Sequence, residues 1–269
     1  MNTAGRPKIL GIVNITNDSF SDGGRFLDPK AAIAHARKLL EDGADALDVG
    51  AAASNPGAES VPAQEEIRRL RPLLDAGFDR DRLSIDTFSP ETQLWCLDQN
   101  VGWLNDIQGF PERSIYPRLA ASAARLIVMH NITRRGAAQF VETDPRRIFD
   151  ILFEFFDHRV AALTAAGVSR DRIVLDPGMG YFLGTDPEVS LTVLRQLPKL
   201  KQRYNLPLMI SVSRKSFVRR LANVDVANAG AATLAAELFA ASKGADMLRT
   251  HDPRGIRQAL QVWSALDAG

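Results

Sequence analysis

Arg125-Leu126-Ile127-Val128-Met129-His130 is an apolar run that closes on a polar residue. Continuous runs of this length suit strands buried on both faces of a parallel sheet. Similar runs occur at 9–15, 44–50, 82–87, 102–107, 172–178, 207–213 and 245–251, which makes eight in all. Longer stretches of helical period lie between them, clearest at 30–41, 63–74, 145–166 and 187–203. Asp144-Pro145 and Asp186-Pro187 each read as an N-cap followed by proline at the first helical position. Gly43, Gly167 and Gly244 mark helix ends just before a strand.

Eight β-then-α units with no spare strand predict a closed (β/α)8 TIM barrel, of α/β class. The length of 269 residues is close to the ~250 typical of that fold. No low-complexity linker interrupts the chain, so residues 1–269 read as a single TIM-barrel domain. An open doubly wound sheet would carry a glycine-rich loop after its first strand. The chain instead reads Asn14-Ile15-Thr16-Asn17-Asp18 there.

A net charge of +1 gives no bulk attraction to nucleic acid or to an anionic membrane. The expected partners are therefore small molecules, and an anionic ligand must be held by a few local cations. Cys96 is the only cysteine, which excludes a disulfide within the chain and fits a reducing cytoplasm. Flanked by Trp95 and Leu97, it reads as a packed structural thiol. Residues 1–8 do not resemble a signal peptide, and no apolar stretch reaches the ~20 residues needed to span a bilayer.

The functional signal is positional. The strands end in Asn14, Asp48, Asp86, Asn105 with Asp106, His130, Asp176, Ser213 followed by Arg214-Lys215-Ser216, and Arg249 with His251. Active sites of this fold lie at the C-terminal ends of the strands. Any one Asp there can be read as a helix cap or loop tie. Eight such ends converging on one mouth point to a ligand that supplies partners, because buried carboxylates are costly unless satisfied. Asp106 follows Asn105, alternates outward and reads as structural, while Asp45 and Asp246 read as turn residues.

The set divides chemically. Asp86, Asn105, Asp176 and Lys215 offer donors and acceptors suited to a flat, nitrogen-rich heterocycle read edge-on, since a carboxylate accepts two N–H bonds from a 2-aminopyrimidinone. Asn14 offers an oxygen ligand, and Arg249 and His251 offer two anion donors on one strand face. That suits a pyrophosphate held through Mg2+, which keeps few protein ligands. The four histidines show no zinc spacing.

These residues fall in recognisable motifs. The segment from Gly11 through Asn14-Ile15-Thr16-Asn17-Asp18-Ser19-Phe20-Ser21-Asp22 to Gly24 resembles the first signature of dihydropteroate synthases, which usually has Pro where Asn17 stands. Ser84-Ile85-Asp86-Thr87, Asn105-Asp106-Ile107, Asp176-Pro177-Gly178-Met179-Gly180, Ser213-Arg214-Lys215-Ser216 and Arg249-Thr250-His251 match further motifs in order. The resemblance covers nearly the whole chain. It implies an enzyme that condenses 6-hydroxymethyl-7,8-dihydropterin pyrophosphate with p-aminobenzoate in folate biosynthesis. Asn14 would be the metal ligand, for Mg2+, and with Arg249 and His251 would hold the pyrophosphate. Asp48, Asp86, Asn105, Met129, Asp176 and Lys215 would hold the pterin. Phe20, Ser54, Pro56, Tyr181, Lys215 and Ser216 would surround p-aminobenzoate. Asp22, Asp86, Lys215, Arg249 and His251 would be the catalytic group, and a homodimer is implied.

Two loops depart from the family pattern. Ala51-Ala52-Ala53-Ser54-Asn55-Pro56 stands where Gly-Glu-Ser-Thr-Arg-Pro is usual, so Asn55 replaces an anion-binding Arg and cannot take its part by charge. Gly180-Tyr181-Phe182-Leu183-Gly184 replaces Gly-Phe-Gly-Lys. Both departures are similar to the sulfonamide-resistant, Sul-type synthases, which implies that Tyr181 and Phe182 discriminate against the drug. The rival readings are a sulfonamide-sensitive housekeeping synthase, a methyltetrahydrofolate–corrinoid methyltransferase, and a pterin-binding barrel without turnover. The methyltransferase needs no anion site at Ser213-Arg214-Lys215-Ser216, Arg249 and His251, and the barrel without turnover is supported only by the missing loop Arg.

Overall fold

The computed structural model describes residues 6–16, 28–134 and 136–267. Its strands are β1 (Lys8–Asn14), β2 (Ala46–Gly50), β3 (Leu83–Asp86), β4 (Trp103–Asp106), β5 (Arg125–Met129), β6 (Ile173–Asp176), β7 (Met209–Ile210) and β8 (Met247–Thr250). They pair in parallel in the order β6-β5-β4-β3-β2-β1-β8-β7. A parallel bridge from Leu175 to Leu208 joins the two ends, so the sheet closes. The Leu175 N–H donates to Pro207 O at 2.9 Å across that seam. The expected (β/α)8 barrel is what the chain forms.

The helices are α1 (Pro29–Glu41), α2 (Ala63–Asp75), α3 (Pro90–Asp98), α4 (Tyr116–Ala121), α5 (Ile148–Ala165), α6 (Pro187–Arg195), α7 (Pro198–Tyr204), α8 (Ser216–Ala222), α9 (Gly230–Ser242) and α10 (Pro253–Asp267). Asp186 caps α6 as its sequence predicts, accepting from Glu188 N at 2.9 Å. Asp144 does not cap α5. Its carboxylate closes a turn onto Arg146 N at 2.9 Å, and the helix begins only at Ile148. The helix expected over 187–203 is two, because Pro198 lacks the N–H needed to continue α6 and instead starts α7. Gly43, Gly167 and Gly244 take φ of 99°, 95° and 93°, the left-handed exits expected of them. No helix among the described residues is long and apolar enough to cross a membrane.

The two-residue period of each strand positions the site. Leu10, Ala46, Trp103, Ile127, Val174, Met209 and Met247 form an apolar cluster distinct from the strand residues that pack against the helices. Side chains two residues further along share its face. Those residues are Ile12, Asp48, Asn105, Met129, Asp176, Ser211 and Arg249. The barrel interior therefore has an apolar floor under a largely polar layer. Trp103 anchors the floor, with its indole N–H donating to Asp81 O at 3.0 Å and the Arg125 guanidinium 4.8 Å over its ring.

Outside that layer Asp106, Asp45 and Asp246 take the structural roles expected of them. Asp106 points away from Asn105 and accepts from Gln108 N at 2.7 Å, Phe110 N at 3.1 Å and Gln93 Nε2 at 2.8 Å. These bonds fix the turn after β4, where Phe110 takes φ 58°. Asp45 accepts from Ile9 N at 2.8 Å, and Asp246 from Leu208 N at 2.7 Å. Cys96 is fully buried, and burial pushes its thiol pKa up.

Candidate active site

Two connected cavities open at the C-terminal ends of the strands. The deeper is lined by Asp86, Asn105, Met129, Asp176, Ser211 and Lys215, among others. The outer includes Asn14, Ser54, Pro56, Tyr181, Ser216, Arg249 and His251. Ser54, Asp86, Phe182, Ser211, Lys215 and Arg249 border both, so the two form one continuous recess.

The floor of the site is a charged network. Asp48 is 0 % exposed and accepts from Ser84 Oγ at 2.5 Å, from Asn105 Nδ2 at 3.1 Å and from Arg249 Nε. The Arg249 guanidinium also donates to Asp86 at 2.9 Å. Arg249 is thus clamped between two carboxylates and turns its remaining edge to the cavity. Burial pushes the Asp86 carboxyl up, and the Arg249 cation pulls it back. Asp176 accepts from Gly178 N at 2.8 Å, and burial raises its pKa to about 6. Asn105 Oδ1 and Ser211 Oγ are buried without hydrogen-bond partners. Such orphans cost about 1–3 kcal/mol each, a cost a polar ligand removes.

Lys215 owes its position to Arg214, whose φ of 57° turns the chain sharply between β7 and α8. Its ammonium lies 4.8 Å over the Phe182 ring. Burial, reinforced by the Arg249 cation, lowers its pKa to about 8. Phe182 is 5 % exposed and packs with Ile107, Met129 and Ala138. Ala138 N donates to Ser54 O at 2.9 Å, tying the loops after β2 and β5 together over the cavity.

Of the two anion donors on β8, Arg249 is charged and His251 is not. Burial and the nearby Arg214, Arg249 and Lys215 push its pKa well below the usual value, so the ring is neutral at pH 7. The Ser213 hydroxyl accepts from His251 N at 3.2 Å and faces His251 Nδ1 at 2.9 Å. A hydroxyl that donates to Nδ1 leaves Nε2–H as the donor for a ligand. His130 departs from expectation, because it lines neither cavity. Its Nδ1 is 3.2 Å from Pro177 O, its ring packs edge-on against Phe155, and burial lowers its pKa to about 4. Gly178 makes this fit possible, since a Cβ there would lie 2.5 Å from His130 O.

Asn14 ends β1 half-buried at the outer cavity, and its side chain has no hydrogen-bond partner among the described residues. Phe20 and Asp22 lie outside the described residues. The structure therefore gathers Asn14, Asp48, Asp86, Asn105, Met129, Asp176, Lys215, Arg249 and His251 with Ser54, Pro56, Tyr181, Phe182 and Ser216 at one mouth.

Residues 10–251 match the model of the pterin binding enzyme family. The chain is 52% identical over 260 residues to the dihydropteroate synthase type-3 of Escherichia coli, covering 96% of this chain and 99% of that protein. The chain belongs to the dihydropteroate synthases. The type-2 synthase of Escherichia coli is 53% identical over 259 residues, 96% of this chain and 95% of that one. Among solved structures, the dihydropteroate synthase of Xanthomonas albilineans with 4-aminobenzoic acid matches at a TM-score of 0.85 and 33% identity, covering 98% of this chain and 94% of that one.

Within this synthase barrel, Ser211, Phe140 and Arg219 line the outer cavity without a sequence signal of their own. Ser211 sits inside an apolar run two places before Ser213. Phe140 is 70 % exposed, lines the outer cavity and packs edge-on against Tyr181 at 5.0 Å. Arg219 lies on a helix, where its orientation depends on how α8 leaves the barrel.

Proposed function

We propose that this chain condenses 6-hydroxymethyl-7,8-dihydropterin pyrophosphate with p-aminobenzoate to give 7,8-dihydropteroate and pyrophosphate, and that it does so in the presence of sulfonamides. The observation that carries the reading is the pairing of an unsatisfied polar pocket with an outer, partly aromatic cavity through shared residues. The pterin edge binds in the deeper pocket. Asp176 accepts its N–H groups, Asn105 Oδ1 and Ser211 Oγ gain partners, and Lys215 donates to its carbonyl side. Asp48 holds Asn105 and Arg249 in place beneath, while Met129 packs below the ring.

The pyrophosphate lies toward Asn14, Arg249 and His251. Among the described residues no three His, Cys, Asp or Glu side chains cluster as a metal site. Mg2+ keeps few protein ligands and would be held chiefly by the substrate's phosphate oxygens. Asn14 Oδ1 is the protein oxygen offered. A Mg2+ ion held there would supply charge neutralisation for the leaving pyrophosphate. Arg249 and the His251 Nε2–H add donors where negative charge develops. The methylene–oxygen bond breaks with its electron pair going to pyrophosphate. The carboxylates of Asp86 and Asp176, with Asp22, stabilise the positive charge left on the pterin. The aniline nitrogen of p-aminobenzoate then forms the carbon–nitrogen bond and loses a proton to water. That amine is neutral at pH 7, so positioning by Ser54, Pro56, Tyr181, Ser216 and Phe20 supplies much of the rate. The chain acts on small molecules as a cytoplasmic homodimer.

The ionisations set a pH window. Asp176 and Asp86, with pKa values of about 6 and about 7, must be charged, and so must Lys215, with a pKa of about 8. The kcat/KM for the pterin substrate is expected to rise as pH passes through the two carboxyl values and fall as it passes that of Lys215, because that ratio reports the free enzyme. A profile flat from pH 5 to 9 would separate these groups from the reaction. Purified chain with Mg2+ and both substrates should release pyrophosphate, and omission of either substrate or addition of a chelator should stop it. Methyl transfer from methyltetrahydrofolate to a corrinoid without pyrophosphate release would overturn the reading.

A further inference from the structure

The outer cavity contains a guanidinium that no carboxylate answers. Arg219 lies three residues beyond Ser216 on α8, on the same helical face, and both line this cavity. Its Nε donates to Arg214 O at 3.2 Å, which fixes the plane of the group. Among the described residues it makes no ion pair. The other cationic side chains deeper in the site are already matched. Arg249 is bonded to Asp48 and Asp86, and Lys215 faces the charges of Asp176 and Asp86. Arg219 lines the outer cavity but not the deeper one, so it stands away from the pterin-holding Asp176. Asn55 also lines this cavity and offers only an amide, turned toward its neighbour Pro56 O.

We propose that Arg219 binds the carboxylate of p-aminobenzoate and so supplies the charge that Asn55 does not. A half-buried guanidinium held at Nε presents its terminal nitrogens as a planar fork, which matches a carboxylate. The assignment rests on the reading that p-aminobenzoate occupies the outer cavity. It makes Arg219 a determinant of acceptor specificity, with no part in breaking the methylene–oxygen bond.

The test is steady-state kinetics of Arg219→Gln with p-aminobenzoate and with its neutral analogue 4-aminobenzamide. The KM for p-aminobenzoate should rise about 10- to 100-fold, the range expected for one lost charge-assisted hydrogen bond. The KM for the pterin pyrophosphate should stay unchanged, which also reports an intact fold. The preference for p-aminobenzoate over the amide should fall by the same factor, and Arg219→Lys should recover part of it. Equal losses for both acceptors, a rise confined to the pterin KM, or no change at all would each overturn the assignment. An unsubstituted chain that releases no pyrophosphate with either acceptor would instead remove the functional reading on which the assignment rests.

Discussion

Arg249→Met is expected to lower the free energy of unfolding by about 3–5 kcal/mol, the cost of stranding a buried charge, and to abolish turnover. Asp48 is 0 % exposed, and Arg249 is its only cationic partner among the described residues. Methionine fills similar space without charge, so Asp48 keeps only its bonds from Ser84 and Asn105. Asp86 loses its partner in the same step. Urea denaturation followed by circular dichroism measures the loss. Arg249→Met combined with Asp48→Asn should recover part of the stability and none of the activity, because the two side chains share one interaction. A single-variant loss below about 1 kcal/mol, the size of a surface pair, would mean that the clamp does not stabilise the barrel.

Phe182→Gly is expected to make the enzyme sulfonamide-sensitive, lowering the inhibition constant of sulfamethoxazole at least about tenfold, equivalent to 1.4 kcal/mol or more of restored binding. The ring is 5 % exposed and lies where the deeper and outer cavities meet. A sulfonamide resembles p-aminobenzoate at the aniline but carries a sulfonyl group and ring beyond the carboxylate's envelope. A rigid side chain there excludes the larger ligand while admitting the smaller. The same ring packs on Ile107 and Met129 and lies under the Lys215 ammonium, 4.8 Å from its centroid. The glycine variant should therefore also lose stability, about 3–5 kcal/mol for a buried Phe truncation, and bind pterin less well. Phe182→Leu keeps most of the bulk and should keep resistance. Resistance unchanged in Phe182→Gly would remove Phe182 as the discriminating residue.

The barrel and most of its mouth were legible because parallel strands write their burial as continuous apolar runs. A polar residue at the end of such a run, as at Asp86 or Asp176, is conspicuous. The period of two also separated inward Asn105 from outward Asp106, and Arg249 and His251 from Thr250. What escaped depends on packing that spacing does not encode. His130 follows inward Met129 and so alternates outward as Asp106 does, where Pro177 O meets its imidazole; its polarity at the end of an apolar run masked that. The charge state of His251 depends on burial beside three cations, which a sequence does not display. Pro145 looks like a helix start, but Asp144 folds back onto Arg146 first. Arg219 is one of several arginines on helix surfaces until the exit of α8 is known.

The most direct test is to incubate the purified chain with Mg2+, 6-hydroxymethyl-7,8-dihydropterin pyrophosphate and p-aminobenzoate, and to quantify both products by mass spectrometry and a pyrophosphate assay. The site described above predicts 7,8-dihydropteroate and pyrophosphate in equal amounts, still formed when sulfamethoxazole is present. Pterin binding with neither product formed would contradict it.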